Sequence, residues 1–190
     1  MDSVYLSIIR QAEQFAEEAH DGQLRKGPSK AAYITHPLAV ADIVKAHQGT
    51  IEAILGGLLH DVVEDTDRTL DEIAGLFGNY VAVIVDYVTE PDHDKRPWKQ
   101  RKKDYLARIE DAPYDAVLVA AADKLHNLRD TLKDYKEHGD DIWSMFNSQK
   151  DSQFWYYKSM VEIFEKRDIP VTIINELKDA LTEIHGRFAD

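Results

Sequence analysis

The sequence predicts an all-α protein folded as a single helical bundle. Apolar residues recur at the helical spacing i, i+3, i+4, i+7 along almost the whole chain. Proline and glycine stand where such helices would begin and end. A chain of 190 residues is long enough for one domain with a substantial core and short for two. We therefore predict one domain over residues 1–190.

The first third of the chain divides into helices at recognisable signals. Residues 3–20 carry one apolar face, and a loop containing glycine and proline follows. Thr35 as a cap and Pro37 in the first turn predict a helix over residues 36–47. The next helix is predicted over about residues 50–65.

A capping box and a run of β-branched residues define the next two elements. Thr69 with Glu72 predicts the start of a short helix, and Gly78 predicts its end. Residues 79–89 are rich in valine and isoleucine, which favours a strand, but their spacing also fits a helix. Because both neighbours are helical, we predict a helix here.

The second half of the chain has the same organisation. Further helices are predicted at about 98–110, 113–137, 141–167 and 170–186, after a polar loop at 90–97. Pro113 and Pro170 suit first helical turns, and Gly139 and Gly186 suit helix ends.

The composition excludes several classes of function. The chain has 35 acidic and 23 basic residues and a net charge of −12, which argues against binding along a nucleic acid backbone. It lacks cysteine, a secretion signal and an apolar stretch long enough to cross a bilayer. We expect a cytoplasmic protein that binds neither nucleic acid nor membranes. The sequence contains no signal for a particular oligomeric state.

Two basic clusters interrupt the acidic background. Arg25, Lys26 and Lys30 form the first, and the segment Lys95–Lys103 forms the second. Each is either a solvated face or a local site for an anion.

The stretch LLHDVVEDT, residues 58–66, contains the strongest functional signal. At about 100° per residue, its aliphatic side chains lie on one side of a helix and its ionisable ones within an arc of about 140° on the other. The ionisable residues are His60, Asp61, Glu64 and Asp65. Three carboxylates on one arc repel each other unless solvent screens them or a cation binds. We predict a metal site, with Gly57 leaving room for a bulky group beside it.

A second polar arc lies on the long helix predicted after Pro113. Its members at i, i+3, i+4 and i+7 are Asp123, His126, Asn127 and Asp130. Asp123 follows three alanines, so its carboxylate emerges from an apolar run and needs a partner. His36 is either a further donor or an ordinary residue of a helix start.

These motifs together resemble the HD-domain metal-dependent phosphohydrolases. More narrowly they resemble the guanosine 3′,5′-bis(diphosphate) hydrolase domain of the RelA/SpoT family. The matching stretches are HDGQLRKG (20–27), YITHPLAVA (33–41), LLHDVVEDTDRTLDEI (58–73), FGNYVAVIVDYVT (77–89) and ADKLHNLRD (122–130). Without synthetase or regulatory sequences, the chain is similar to the stand-alone small alarmone hydrolases, including the metazoan SpoT homologue.

The resemblance implies a role for each site residue. It implies that one ion, usually Mn²⁺, is held by His36, His60, Asp61 and Asp123. It implies that Glu64 and Asp65 act on the attacking water, and that Arg25, Lys26 and Asn127 contact the nucleotide. Two nitrogen and two oxygen donors also suit Fe²⁺, Co²⁺ or Zn²⁺. The bifunctional relatives carry threonine where this chain has Asp130, and the segment after Thr89 departs from the family pattern.

The implied reaction is hydrolysis of the 3′-pyrophosphate of (p)ppGpp, giving GDP or GTP and pyrophosphate. Alternatives are an HD phosphohydrolase acting on an adenosine alarmone, on the 2′-phosphate of NADPH or on another nucleotide, and a nucleotide sensor or helical scaffold without activity. Tyr33 and Trp155 are candidates either for stacking on a guanine or for packing in the core.

Overall fold

The computed structural model describes residues 3–26, 30–90, 96–145 and 148–186. Within these residues the regular structure is helical and no strand forms, which confirms the all-α prediction. The helices are α1 (Ser3–Ala19), α2 (Thr35–Ala46), α3 (Ile51–Leu59), α4 (Val62–Asp65), α5 (Leu70–Phe77), α6 (Asn79–Val88), α7 (Trp98–Asp111), α8 (Tyr114–His138), α9 (Lys150–Lys166) and α10 (Val171–His185). That a single domain spans the whole chain stays a prediction.

Helix α8 is the centre of the bundle. It packs against α2, α3, α6 and α10. Its segment 116–122 is at most 1% exposed at every residue and contains four alanines, whose small side chains let neighbouring helices approach. A helix that is apolar all round belongs in a core. Among the described helices, none has the length and apolarity needed to cross a membrane.

The predicted helix over residues 50–65 is interrupted. Helix α3 ends at Leu59 and α4 begins at Val62, so His60 and Asp61 lie at the junction. Asp61 has φ −95° and ψ −8°, a rotation away from ideal helical geometry. The ionisable residues therefore lie at and just beyond a helix end.

The predicted helix over residues 141–167 is also wrong in its first part. A 3₁₀ helix, Gly139–Met145, occupies that region, and α9 starts at Lys150. The Asp140 carboxylate accepts hydrogen bonds from Trp143 Nε1 at 3.1 Å and Lys150 Nζ at 2.8 Å. The Ser144 hydroxyl also donates to Asp141 O at 2.8 Å, and side-chain bonds to the backbone of this kind compete with helix extension.

Three local predictions have clear outcomes. The capping box of Thr69 and Glu72 is confirmed, as is the helix over residues 79–89. The capping role of Thr35 is wrong, because Thr35 is already in α2 and its hydroxyl donates to Ala32 O at 2.7 Å.

Gly57 lets α2 and α3 approach each other. A β-carbon at Gly57 would lie 3.2 Å from the α-carbon and 3.3 Å from the nitrogen of Ala41 in α2. The prediction that Gly57 leaves room for a bulky group beside the site is wrong, since the backbone of α2 fills that space. The glycine brings the helix that carries His36 against the helix that leads to His60.

Gly57→Ala is therefore expected to lower the free energy of unfolding by about 1–3 kcal/mol, because a packed backbone must move. Chemical denaturation measures this change. The control is Gly75→Ala in α5, where nothing lies within 4 Å of the added carbon. The control should be neutral or up to about 1 kcal/mol more stable, as for alanine in a helix. Equal stability of the Gly57 variant and the parent would contradict the close approach.

Candidate metal centre and its cavity

Three parts of the chain bring together four side chains of the types that can bind a metal ion. They are His36 in the first turn of α2, His60 and Asp61 at the α3–α4 junction, and Asp123 in α8. The Nε2 atoms of His36 and His60 are 3.2 Å apart. Asp123 Oδ1 lies 3.1 Å and 3.8 Å from these nitrogens, and Asp61 Oδ2 lies 3.6 Å and 3.1 Å from them. His36, His60 and Asp61 offer ligand atoms that lie within 4.8 Å of one another and could hold a metal ion. Asp123 Oδ1 lies close to both histidines and is the candidate for a fourth donor.

The hydrogen bond of His60 fixes which ring nitrogen faces the site. His60 Nδ1 lies 2.8 Å from Gly57 O, and since a carbonyl oxygen only accepts, Nδ1 carries a proton. In the neutral ring, Nε2 then directs a lone pair at the other donors. Two imidazole nitrogens and two carboxylate oxygens facing each other suit a divalent cation between them.

His36 is supported from behind by a second histidine. His36 Nδ1 is 2.9 Å from His126 Nδ1, and His126 Nδ1 is 3.7 Å from Asp130 Oδ2. Metal-binding histidines commonly use their second ring nitrogen in this way, which orients the ring. Helix α8 thus contributes Asp123 to the centre and His126 to its support.

The charges around the centre favour a cation. Burial acts to lower the pKa of His60, but the Asp61 and Asp123 carboxylates raise it to about 9. Burial lowers the pKa of His36. A metal ion at this centre would bind where a proton on His60 Nε2 would lie, so metal binding would require the loss of that proton.

Asp123 stays ionised although it is buried. Burial acts to raise its pKa, but the Lys124 ammonium and the two histidines hold the pKa of Asp123 well below its usual range. Lys124 Nζ contacts Asp123 Oδ2, and Asn127 Nδ2 donates to Asp123 Oδ1. The partner expected for this mid-helix carboxylate is therefore cationic.

His36, Asp61 and Asp123 line a cavity of about 590 Å³, a size typical of small-molecule sites. The same wall contains the other residues singled out in the sequence, namely Arg25, Lys26, Glu64, Asp65 and Asn127. Residues from four separate segments of the chain therefore share one cavity.

Glu64 and Asp65 lie beside the centre in different environments. Glu64 is half-buried and Asp65 is exposed. Glu64 Oε2 accepts a hydrogen bond of 2.8 Å from the backbone N–H of Glu90. Burial raises the pKa of Glu64 to about 7, which suits a group that exchanges protons near neutral pH.

Tyr33 connects the centre with Asp65. Its hydroxyl lies 2.8 Å from Asp61 Oδ2 and 2.6 Å from Asp65 Oδ2. Burial, Asp61 and Asp65 raise the pKa of Tyr33, so the phenol keeps its proton as a donor. Tyr33 lines the cavity, whereas Trp155 lies outside its wall and packs edge-on against Trp98.

Cationic side chains from both basic clusters of the sequence and from α8 form part of the cavity wall. They are Arg25, Lys26, Lys102 and Lys124. Lys102 belongs to the segment Lys95–Lys103, of which Lys95 lies outside the described residues. Lys102 and Lys124 lie 5.0 Å and 5.9 Å from the centroid of the Tyr156 ring. The cavity therefore offers positive charge beside the metal donors.

Sequence reasoning named Lys102 only as a member of the segment Lys95–Lys103, and it missed the contributions of Lys124 and Glu90. The Glu90 carboxylate is buried and contacts both Arg101 and Lys102. A helical signal for Lys102 existed, because Arg101, Tyr105 and Ile109 form the buried stripe of α7 and Lys102 borders it. Glu90 had no such signal, since it follows the end of α6.

The fold and its donors, with a His-Asp pair at a helix junction, define an HD domain. The HD domain family model matches residues 12–152, and the chain belongs to this family.

The chain is also similar to named hydrolases and to a solved structure. The chain is 45% identical over 127 residues to the guanosine-3′,5′-bis(diphosphate) 3′-pyrophosphohydrolase MESH1 of Xenopus tropicalis, covering 65% of this chain and 69% of that protein. It is 41% identical over 139 residues to the human MESH1, covering 68% and 75%. A solved metazoan orthologue of SpoT that hydrolyses ppGpp has the same fold, with a TM-score of 0.75 and 24% identity over 94% of this chain and 96% of that one. The resemblance to the RelA/SpoT hydrolases is confirmed.

Proposed function

We propose that this protein is a metal-dependent phosphohydrolase that removes the 3′-pyrophosphate of ppGpp and pppGpp, giving GDP or GTP and pyrophosphate. The observation that carries the proposal is that His36, His60, Asp61 and Asp123 lie together beside a cavity. The cavity wall includes all of them except His60, together with cations and a carboxylate with a pKa near neutrality. The named activity of the MESH1 relatives supports the choice of substrate.

We propose that His36, His60, Asp61 and Asp123 hold one divalent ion, with Mn²⁺ as the resident metal. This donor set is also compatible with Fe²⁺, Co²⁺ and Zn²⁺. When bound, such an ion supplies Lewis acidity, which makes water more acidic and stabilises charge on phosphoryl oxygens.

The carboxylates then have separate tasks. Glu64 accepts the proton of the attacking water, whose oxygen forms a bond to the phosphorus attached to the ribose 3′ oxygen. The bond from that phosphorus to the 3′ oxygen breaks, pyrophosphate leaves, and the 3′ oxygen takes a proton. Asp65, held by the Tyr33 hydroxyl, orients the same water.

The cations bind the phosphates. Arg25 and Lys26 reach the cavity wall from the segment between α1 and α2. Lys102 and Lys124 reach it from α7 and α8. Preorganised cations stabilise the charge that develops during phosphoryl transfer. They also offset locally the repulsion that a net charge of −12 exerts on an anionic nucleotide.

The test is a panel of substrates and metals. Chelator-treated protein is reconstituted with Mn²⁺, Fe²⁺, Co²⁺ or Zn²⁺ and assayed with ppGpp, pppGpp, ppApp, NADPH and deoxynucleotides. We expect pyrophosphate release from ppGpp with Mn²⁺ and none in chelator. Absence of turnover with every 3′-pyrophosphate would refute the proposed reaction, and failure to bind any metal would favour a sensor or scaffold.

A further inference from the structure

Arg25 reaches the cavity already paired with a carboxylate. Its Nη2 atom donates to Asn127 Oδ1 at 2.8 Å and to Asp130 Oδ2 at 3.1 Å. The Arg25 side chain is 15% exposed and the Asp130 side chain 49%. Both residues line the cavity, so a ligand in the cavity meets the ion pair and not a free guanidinium.

A phosphate group that binds Arg25 meets a guanidinium that already donates from Nη2 to the Asp130 carboxylate and to Asn127. Guanidinium binds carboxylates and phosphates through the same planar fork of donors. A phosphate that binds Arg25 therefore shares the guanidinium charge with Asp130, or replaces the contact between Arg25 Nη2 and Asp130. The two anions also repel each other at short range.

We propose that Asp130 weakens the binding of pyrophosphate groups in the cavity by competing with them for Arg25. The proposal rests on the proposed function in placing a substrate phosphate at Arg25. The cost applies to the substrate and to the pyrophosphate product alike. Inorganic pyrophosphate binds through its phosphates alone, whereas a nucleotide also has a base and ribose to contact the wall. Asp130 therefore speeds release of the pyrophosphate product, while the other contacts of the nucleotide keep the substrate bound.

The structure provides a matched control. Asp134 lies one turn further along α8 and lines the same cavity. Asp134→Asn changes the charge of the cavity by the same amount as Asp130→Asn. The guanidinium contact of Arg25, however, is made by Asp130. A general effect of charge would appear in both variants, and competition for Arg25 only in one.

The experiment measures the Kd of inorganic pyrophosphate by calorimetry, using the full chain at a fixed free Mn²⁺ concentration. Asp130→Asn is expected to tighten pyrophosphate binding about three- to tenfold, and Asp134→Asn to change it less than about twofold. In an Arg25→Gln background the effect of Asp130→Asn should disappear, as expected for coupled residues. With ppGpp, Asp130→Asn should lower KM and leave kcat unchanged or reduced by slower product release.

Two outcomes overturn the proposal. One is unchanged or weaker pyrophosphate binding in Asp130→Asn. The other is tightening that persists with Arg25→Gln, which would place the effect at a different neighbour of Asp130, such as His126. Pyrophosphate binding is measured without turnover, so the proposal for Asp130 and the proposed hydrolysis of ppGpp can be refuted independently of each other. A parent that does not hydrolyse ppGpp refutes the proposed reaction, whatever the result for Asp130.

Discussion

Asp61→Asn is expected to reduce hydrolysis by at least about 10³-fold and metal affinity by more than about 100-fold. The substitution removes a charged donor from the centre. Even mutation of residues that only hydrogen-bond to metal ligands lowers metal affinity or activity about 10- to 100-fold, so loss of a ligand should cost more. Asparagine keeps the shape of the side chain and still accepts a hydrogen bond from Tyr33. Asp61 is 18% exposed, so the variant should fold. Metal content by mass spectrometry and initial rates measure the effect.

The matched control for this variant is Asp67→Asn. Asp67 is exposed in the turn after α4 and is not part of the described cavity wall. The same loss of one negative charge there should leave metal content and rate unchanged. An Asp61→Asn protein with full metal content and full activity would show that the four donors do not bind the ion together.

Glu64→Gln is expected to lower kcat about 10²- to 10⁴-fold while the protein keeps its metal, because the amide cannot accept a proton from water. The amide oxygen can still accept the hydrogen bond from the Glu90 N–H. Rates at saturating substrate and metal content measure this. Glu162→Gln, at an exposed position of α9, is the control and should have no effect. If Glu64→Gln lost metal content in parallel with kcat, the result would instead indicate that Glu64 is a metal ligand.

The pH dependence provides a separate check on Glu64. A general base works only when deprotonated, and burial raises the pKa of Glu64 to about 7. Below the pKa of this group, kcat/KM should fall about tenfold per pH unit. A bound divalent ion moves this limb to lower pH, because a nearby cation favours the carboxylate form. If Glu64→Gln kept the acid limb that the parent shows, Glu64 would be excluded as the base.

Local patterns in the sequence were sufficient for much of the secondary structure and for the candidate site residues. The capping box of Thr69 and Glu72 acts within one turn, so its sequence signal is complete. The helical period alone separates His60 and Glu64 from the aliphatic face that is buried in the core. The predictions failed at the α3–α4 junction and at the 3₁₀ helix Gly139–Met145, where side chains make local hydrogen bonds such as those of His60 with Gly57 O and of Ser144 with Asp141 O, which are alternatives to a continuous helix.

The sequence by itself determined an all-α chain and the residue types that a metal centre needs. Only the tertiary structure decided which of them meet and what surrounds them. Arg25 pairs with Asp130 across 105 positions of the chain, and Tyr33 with Asp61 across 28. Such contacts depend on how closely helices pack, as the backbone contact at Gly57 shows. Helical periodicity specifies which face of a helix is apolar, but it does not specify the partner of that face or the polar groups that packing brings beside it.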